Sequence, residues 1–200
     1  MKILAVDTAT KSCSVAILDD QVLLAETTTL NTETHSRHLL NIVDDVVGRA
    51  GLTLDRIDGF AVSIGPGSFT GLRIGISSIK GLAYALKKPV AGVSTLKSLA
   101  LQCRQTLHLI CPTNDARKQQ VYFCFYRQKD GQYLQESDER VAPPAETVRD
   151  ISLPCLFVGN GAELYRQLII DELGASAEFA EDEQHIIQAS TVARLSLDRF

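Results

Sequence analysis

An apolar run from Phe60 to Ile64 leads straight into Gly65-Pro66-Gly67-Ser68, and a second apolar-periodic segment follows from about Thr70 to Lys87, with Pro89 just beyond it. A strand, a glycine-rich turn and a helix in that order place the chain among α/β folds, and at such a junction backbone N–H groups can face an anion. Two familiar phosphate-binding patterns do not fit. No Gly-Lys-Ser/Thr follows, the glycines at 65, 67 and 71 are one residue too far apart for a dinucleotide fingerprint, and Lys87 and Lys88 stand where that fingerprint needs an acid. A type II turn with Pro66 at its second position and Gly67 at its third accounts for the string equally well.

The helix after this turn contains Gly71, Gly75 and Gly81, each costing about 1 kcal/mol against alanine in a helix interior. Leu72, Ile74, Ile76, Ile79 and Leu82 point several ways, so the helix needs more than one neighbour. Two readings stand side by side. Its own sheet and the preceding helix cover it, or one face, together with the helix from Leu39 to Ala50, is left for a partner protein.

Around this segment the chain reads as two related halves. Lys2 to Val6, Ser12 to Leu18 and Val22 to Thr28 read as strands with a turn at Asp19-Asp20. A helix follows from Thr34, with Gly51 at its C′ position. After Val90 to Val93, Ser94 and Thr95 can cap a helix from Leu96 to Arg104. Leu107 to Cys111 and Val121 to Tyr126 read as strands flanking a polar loop, Pro112 to Lys118, with a hairpin turn at Asp130-Gly131. A short helix is expected after Pro143-Pro144, a strand at Leu156 to Val158 and one helix from Ala162 to Leu173. Leu4 to Asp7 before Ser14 to Ile17 echoes Leu109 to Asp115 before Val121 to Phe125, which suggests two lobes, 1–104 and 105–200. Val192 to Leu197 is apolar-periodic without a C-cap before Phe200, so a further tail is expected.

With 45% hydrophobic and 22% charged residues among 200, the chain can bury a core, and disordered, collagen-like and disulfide-stapled classes are excluded. The net charge of −4 is small, but from Arg73 to Lys129 ten Lys or Arg stand against Asp115 alone. From Glu163 to Glu183 seven acids stand against Arg166. Solvated faces explain both runs, and a docking surface for an acidic partner or RNA is the second reading. Cys13, Cys103, Cys111, Cys124 and Cys155 lie in apolar surroundings without a C-x-x-C pair, as reduced core thiols do. No apolar run approaches the ~18 residues of a membrane span, so a cytoplasmic chain is expected.

For chemistry, His35 and His38 share a helix face, but Ser36 and Arg37 stand between them where a zinc hydrolase has H-E-x-x-H, and they read as surface histidines. No metal site is assigned, and the serine after Gly67 lacks the G-x-S-x-G spacing of a nucleophile elbow. Asp7 and Asp115, each expected in a loop after a strand, are the best candidates, able to flank a Mg-bound nucleotide.

Four stretches carry a resemblance across nearly the whole chain. They are Ile-Leu-Ala-Val-Asp-Thr-Ala-Thr with Cys-Ser-Val-Ala-Ile, His-Ser-Arg-His-Leu-Leu, the string from Val62 to Gly75, and Asp-Ala-Arg before Val-Tyr. Together they resemble the TsaB (YeaZ) family. The resemblance implies a two-lobed actin-like, sugar-kinase-like ATPase fold with RNase H-like cores. It also implies a role in tRNA N6-threonylcarbamoyladenosine modification at adenosine 37, in tRNAs that read codons starting with A.

Within that family TsaB is the non-catalytic partner of the transferase TsaD, joined by the ATPase TsaE, and it pairs with a second TsaB when alone. Carried over, the partner interface comprises Leu39, Val43, Val46 and Val47 on one helix and Arg73, Ile74, Ser77 and Lys80 on the next. Asp7, Thr8, Thr10, Gly65, Gly67, Ser68 and Asp115 then mark a vestigial nucleotide cleft, admitting ATP or ADP with Mg weakly or only in the complex. Nucleotide-cleaving members of the fold carry D-x-G in the first hairpin, where this chain has Asp7-Thr8-Ala9. TsaD's H-x-E-x-H ligands correspond here to Ser94-Thr95-Leu96-Lys97-Ser98, whose hydroxyls and ammonium cannot replace imidazoles. An ATPase or phosphotransferase using Asp7 and Asp115 is the alternative. A peptidase, suggested by older names in the superfamily, lacks a metal or an activated nucleophile.

Overall fold

The computed structural model describes residues 1–30, 35–103, 106–129, 131–149 and 151–200, with the backbone alone described for 35–37. Thr34, Arg104 and Asp130, expected at a helix start, a helix end and a hairpin turn, lie outside them. The chain forms β1 (Lys2–Asp7), β2 (Ser12–Asp19), β3 (Val22–Leu30), α1 (His35–Arg49), β4 (Gly59–Gly65), α2 (Phe69–Leu86), β5 (Val90–Ser94) and α3 (Thr95–Gln102). There follow β6 (Leu109–Arg117), β7 (Gln120–Phe123), β8 (Tyr126–Lys129), β9 (Gln132–Gln135), β10 (Arg140–Ala142), α4 (Pro144–Val148) and β11 (Cys155–Val158). Last come α5 (Asn160–Leu164), α6 (Arg166–Leu173), β12 (Ala177–Phe179) and α7 (Ala189–Ser196).

Two compact units result, Met1–Ser98 with Ile187–Phe200, and Leu99–Ile186. The division differs from the expected 104/105 boundary because the last segment returns to the first unit, where α7 packs across β1, β2, β4 and β5. In that unit the strand order is β3-β2-β1-β4-β5, antiparallel from β3 to β1 and parallel from β1 to β5. Strand alternation sends Leu4, Val6, Val15, Ile17, Phe60 and Val62 into one core with α1 and α2. Between them, Ala16, Ala5, Ala61 and Ala91 fall in register across four strands, a low row on the face that α7 covers.

α7 is also held by charge. The Glu26 carboxylate on β3 accepts from the Ser190 N–H at 2.8 Å and the Ser190 hydroxyl at 2.9 Å, while Ser14 Oγ accepts from the Ala189 N–H at 2.9 Å. A carboxylate on first-turn N–H groups satisfies donors that the helix cannot and complements its dipole. Beyond α7, the Arg199 guanidinium donates to the Gly92 carbonyl on β5 and the Phe200 ring lies against Gly59.

The second unit repeats the plan, with order β10-β7-β6-β11-β12, β6 antiparallel to β7 and parallel to β11, and a β8–β9 hairpin alongside. The echo read in the sequence is therefore a repeated sheet. Ile3 pairs with Gly59 as Leu109 pairs with Cys155, and near the hairpin ends Asp7 pairs with Ser14 and Asp115 with Val121. The expected polar loop Pro112 to Lys118 is mostly strand, because β6 continues to Arg117, and left-handed backbone at Arg117, Lys118 and Gln119 makes the turn. The helix expected over 162–173 breaks at Tyr165 into α5 and α6.

Helix ends follow the sequence closely. Gly51 has φ 67°, and the Leu52 N–H donates to the Val47 carbonyl at 3.1 Å, closing α1 as a C′ glycine should. Ser94 Oγ accepts from the Lys97 N–H at 3.2 Å and starts α3. All five cysteines are free and buried, and burial pushes the Cys13 and Cys103 thiols up to about 12, which keeps them protonated and inert. Among the described residues no helix is long and apolar enough to cross a membrane.

Candidate functional site

Asp7 ends β1, and its carboxyl is wholly buried. One oxygen accepts from the Ala9 N–H at 3.3 Å, and the other has no partner among the described residues. Burial pushes this acid up to about 7; the Ser63 hydroxyl beside it offsets part of the rise, although its geometry falls short of a hydrogen bond. A carboxyl that is easier to protonate folded than unfolded adds stability below the unfolded value near 4 and loses it as pH rises through about 7. We therefore expect unfolding free energy to fall over that window. Asp7→Asn should flatten the fall and exceed the parent at about pH 8 by up to ~4 kcal/mol. Parallel denaturant titrations across pH measure this, and equal slopes for both proteins would refute it.

The glycine-rich segment packs against this hairpin. A Cβ on Gly71 would overlap the Thr8 carbonyl oxygen, one on Gly75 would overlap Thr8 Oγ1, and one on Gly67 would overlap the Ala9 carbonyl oxygen. Thr8 Oγ1 donates to the Gly71 carbonyl at 2.8 Å, and the Ser68 N–H donates to the Ala9 carbonyl at 2.7 Å. Ser68 Oγ in turn accepts from the Gly71 N–H at 3.2 Å and caps α2.

Two of the N–H groups that could face an anion are thus bound within the chain, and Gly67, Gly71 and Gly75 serve a close backbone approach. Thr8 and Ala9 fill the space beside these three glycines. The expected type II turn is not formed either, because left-handed backbone falls on Gly65, φ 109°, and not on Gly67. The Gly65–Pro66 peptide is cis. Thr10 Oγ1 stands 2.8 Å from Ser12 Oγ and accepts from the Ser12 N–H at 3.3 Å.

Asp115 lies in the second unit, on β6. Its Oδ1 accepts from the Arg117 N–H at 2.8 Å, its Oδ2 lies 3.7 Å from the Arg117 guanidinium, and its own N–H donates to Asn160 Oδ1 at 2.9 Å. Asp7 and Asp115 therefore sit in unlike surroundings, the first wholly buried and the second half-buried beside Arg117. His38 is half-buried on α1, and the His35 side chain lies outside the described residues.

The helical face needs a larger correction. Leu39, Val43, Val46 and Val47, expected to meet a partner, are buried in the core of the first unit. A 3.6-residue apolar stripe beside a sheet is drawn onto that sheet. What stays open is the other edge of α1 and the outer side of α2. Leu40 (55% exposed) and Phe69 (66%) flank a groove of about 440 Å³ that Thr70, Arg73, Ile74, Ser77 and Ser78 complete. The Arg73 guanidinium stacks on Phe69, 3.6 Å from the ring centroid. Of the expected interface, Arg73, Ile74 and Ser77 line this groove, and Lys80 is exposed one turn further along α2. Sequence reasoning missed Leu40 as a surface residue, Phe69 and Tyr84; their signal was apolar side chains off the main stripe.

The family described as "TsaD: tRNA N6-adenosine threonylcarbamoyltransferase" matches residues 23–196. A Bacillus subtilis protein named tRNA threonylcarbamoyladenosine biosynthesis protein TsaB is 32% identical over all of this chain and 88% of its own length. The chain belongs to the TsaB family. The Escherichia coli TsaB is 36% identical, over 84% of this chain and 75% of that protein. The solved structure titled "YeaZ from Pseudomonas aeruginosa" superposes with TM-score 0.82 at 30% identity, covering 99% of this chain and 92% of that one. More distant structures share the fold alone, such as an ethanolamine utilization protein EutJ at TM-score 0.59 and 12% identity. The TsaB-family chain thus has the actin-like, sugar-kinase-like fold, an RNase H-like sheet in each unit.

Proposed function

We propose that this TsaB-family chain acts in tRNA N6-threonylcarbamoyladenosine formation as the non-catalytic partner of a TsaD-type transferase, together with a TsaE-type ATPase. The observation that carries the reading is the α1–α2 groove, an exposed apolar surface with a preformed Arg73–Phe69 stack at its lip. Aromatic and arginine side chains around an apolar pocket are what protein interfaces use as anchors. The first hairpin supports it, since Thr8 and Ala9 are clamped under α2 and lack the glycine with which nucleotide-cleaving relatives close on phosphate. A second copy of the chain would occupy the same groove when TsaD is absent, and a cytoplasmic location follows from the role.

Leu40→Glu and Ile74→Glu place a charge in the groove and should weaken TsaD binding at least about 100-fold in titration calorimetry, with melting temperature nearly unchanged for the exposed Leu40→Glu and lowered for Ile74→Glu, whose side chain also packs on the core. Val43→Glu reports only unfolding, because Val43 is core. Unaltered affinity in both groove variants would overturn the proposal. Robust ATP turnover by the isolated chain, lost in Asp7→Ala, would favour the phosphotransferase alternative, for which the buried Asp7 at a strand end is the supporting feature.

A further inference from the structure

The C-terminal half of α2 presents a surface different from the apolar groove. Lys80 and Tyr84 stand one turn apart on the helix, and Lys87 and Lys88 follow immediately after its last residue, Leu86. With Ala83, Ala85 and Val90 they line a concavity of about 740 Å³ that, among the described residues, has no carboxylate in its wall. Tyr84 is 88% exposed, so nearly all of its ring is open to solvent. Gly81 is also exposed, and a Cβ there would meet nothing within 4 Å. Lys87 closes the helix in the left-handed conformation, φ 55°, which turns the chain so that Lys88 and Val90 frame the far rim. Lys88 also lines a second pocket, with Asp55, Asp58, Lys2 and Arg56, and its charge helps to lower the Asp55 carboxyl. From Gly59 to Asn114 the sequence contains no acid at all.

We infer that this face contacts RNA, with Lys80, Lys87 and Lys88 on backbone phosphates and Tyr84 stacking on an unpaired base. Two features favour RNA over an acidic protein segment. A nearly bare aromatic ring is a platform for a nucleobase, which has a flat π-face, whereas a carboxylate-rich peptide gains little from it. Compact ammonium groups on flexible stems suit phosphates, which need point charge without a fixed bidentate geometry. The inference goes beyond the proposed partner docking, uses a different part of α2, and rests on that reading only for the choice of tRNA as the RNA.

The test is fluorescence anisotropy of a labelled, unmodified tRNA transcript with the full chain, repeated across a potassium chloride series. Lys87→Gln with Lys88→Gln should weaken binding at low salt and flatten the plot of log affinity against log salt by roughly 1.5, since two phosphates would no longer be neutralised. Tyr84→Ala should weaken binding about tenfold with the slope unchanged, which is the signature of lost stacking rather than lost charge. Melting temperatures of these surface variants should stay near the parent value. Ile74→Glu should retain full RNA affinity, so failure of TsaD docking and failure of RNA contact are read separately. Absence of tRNA binding by the parent chain, equal binding by the lysine pair variant, or displacement of tRNA by poly-glutamate at equal charge concentration would each overturn the inference, the last by assigning the face to acidic protein.

Discussion

Gly71→Ala is expected to destabilise the first unit by about 3 kcal/mol or more, whereas Gly81→Ala, ten residues further along the same helix, should stabilise it by up to ~1 kcal/mol. The contrast follows from what a methyl group meets. At Gly71 it would overlap the Thr8 carbonyl oxygen, a backbone atom fixed at the end of β1 by the Thr8–Gly71 hydrogen bond. Neither partner can retreat without unseating α2 from the sheet. At Gly81 the space is open, so the substitution leaves the folded packing intact and reduces the freedom of the unfolded chain. Denaturant unfolding of the two variants decides the matter, and a cost below ~1 kcal/mol at Gly71 would show that the hairpin is not clamped as described.

Removal of residues 187–200 should have an even larger effect, eliminating cooperative unfolding of the first unit. Ile187 and Val192 are fully buried, each worth about 1.5–3 kcal/mol. Their loss would also uncover the alanine row and leave Ser14 and Glu26 without the α7 N–H groups. A domain is held by only ~5–15 kcal/mol in total, so little would remain. Loss of the sharp thermal transition in circular dichroism, with dispersed amide resonances retained for residues of the second unit alone, is the expected result. A truncated chain that melts like the parent would refute it. Glu26→Ala tests the same attachment more gently and should cost about 1–3 kcal/mol.

Much of this architecture was legible in the residues. Gly51, Ser94 and the Pro89 stop mark helix ends because their backbone chemistry acts locally, and the paired runs around Asp7 and Asp115 revealed a repeated sheet. The surroundings of the two acids were not legible. Asp7 pairs with Ser14 and Asp115 with Val121 near the ends of their hairpins, yet one carboxyl is wholly buried and the other lies beside Arg117. The stripe through Leu39, Val43, Val46 and Val47 correctly identified residues removed from water, but periodicity does not say whether a sheet or another molecule removes them. The groove residues Leu40 and Phe69 were hidden because single apolar side chains off a stripe carry no pattern. The place of α7 was equally hidden, since an amphipathic helix fits either sheet. Its one clue was an alanine in each of four strands, as a closely packed cover requires.

That discontinuous first unit has a consequence for synthesis. As the polypeptide leaves the ribosome, residues 99–186 can finish folding while the sheet that emerged before them still lacks its cover. The part translated first is thus the last to be completed, and through that interval its bare alanine face is available to chaperones or to mispairing with a neighbouring nascent chain.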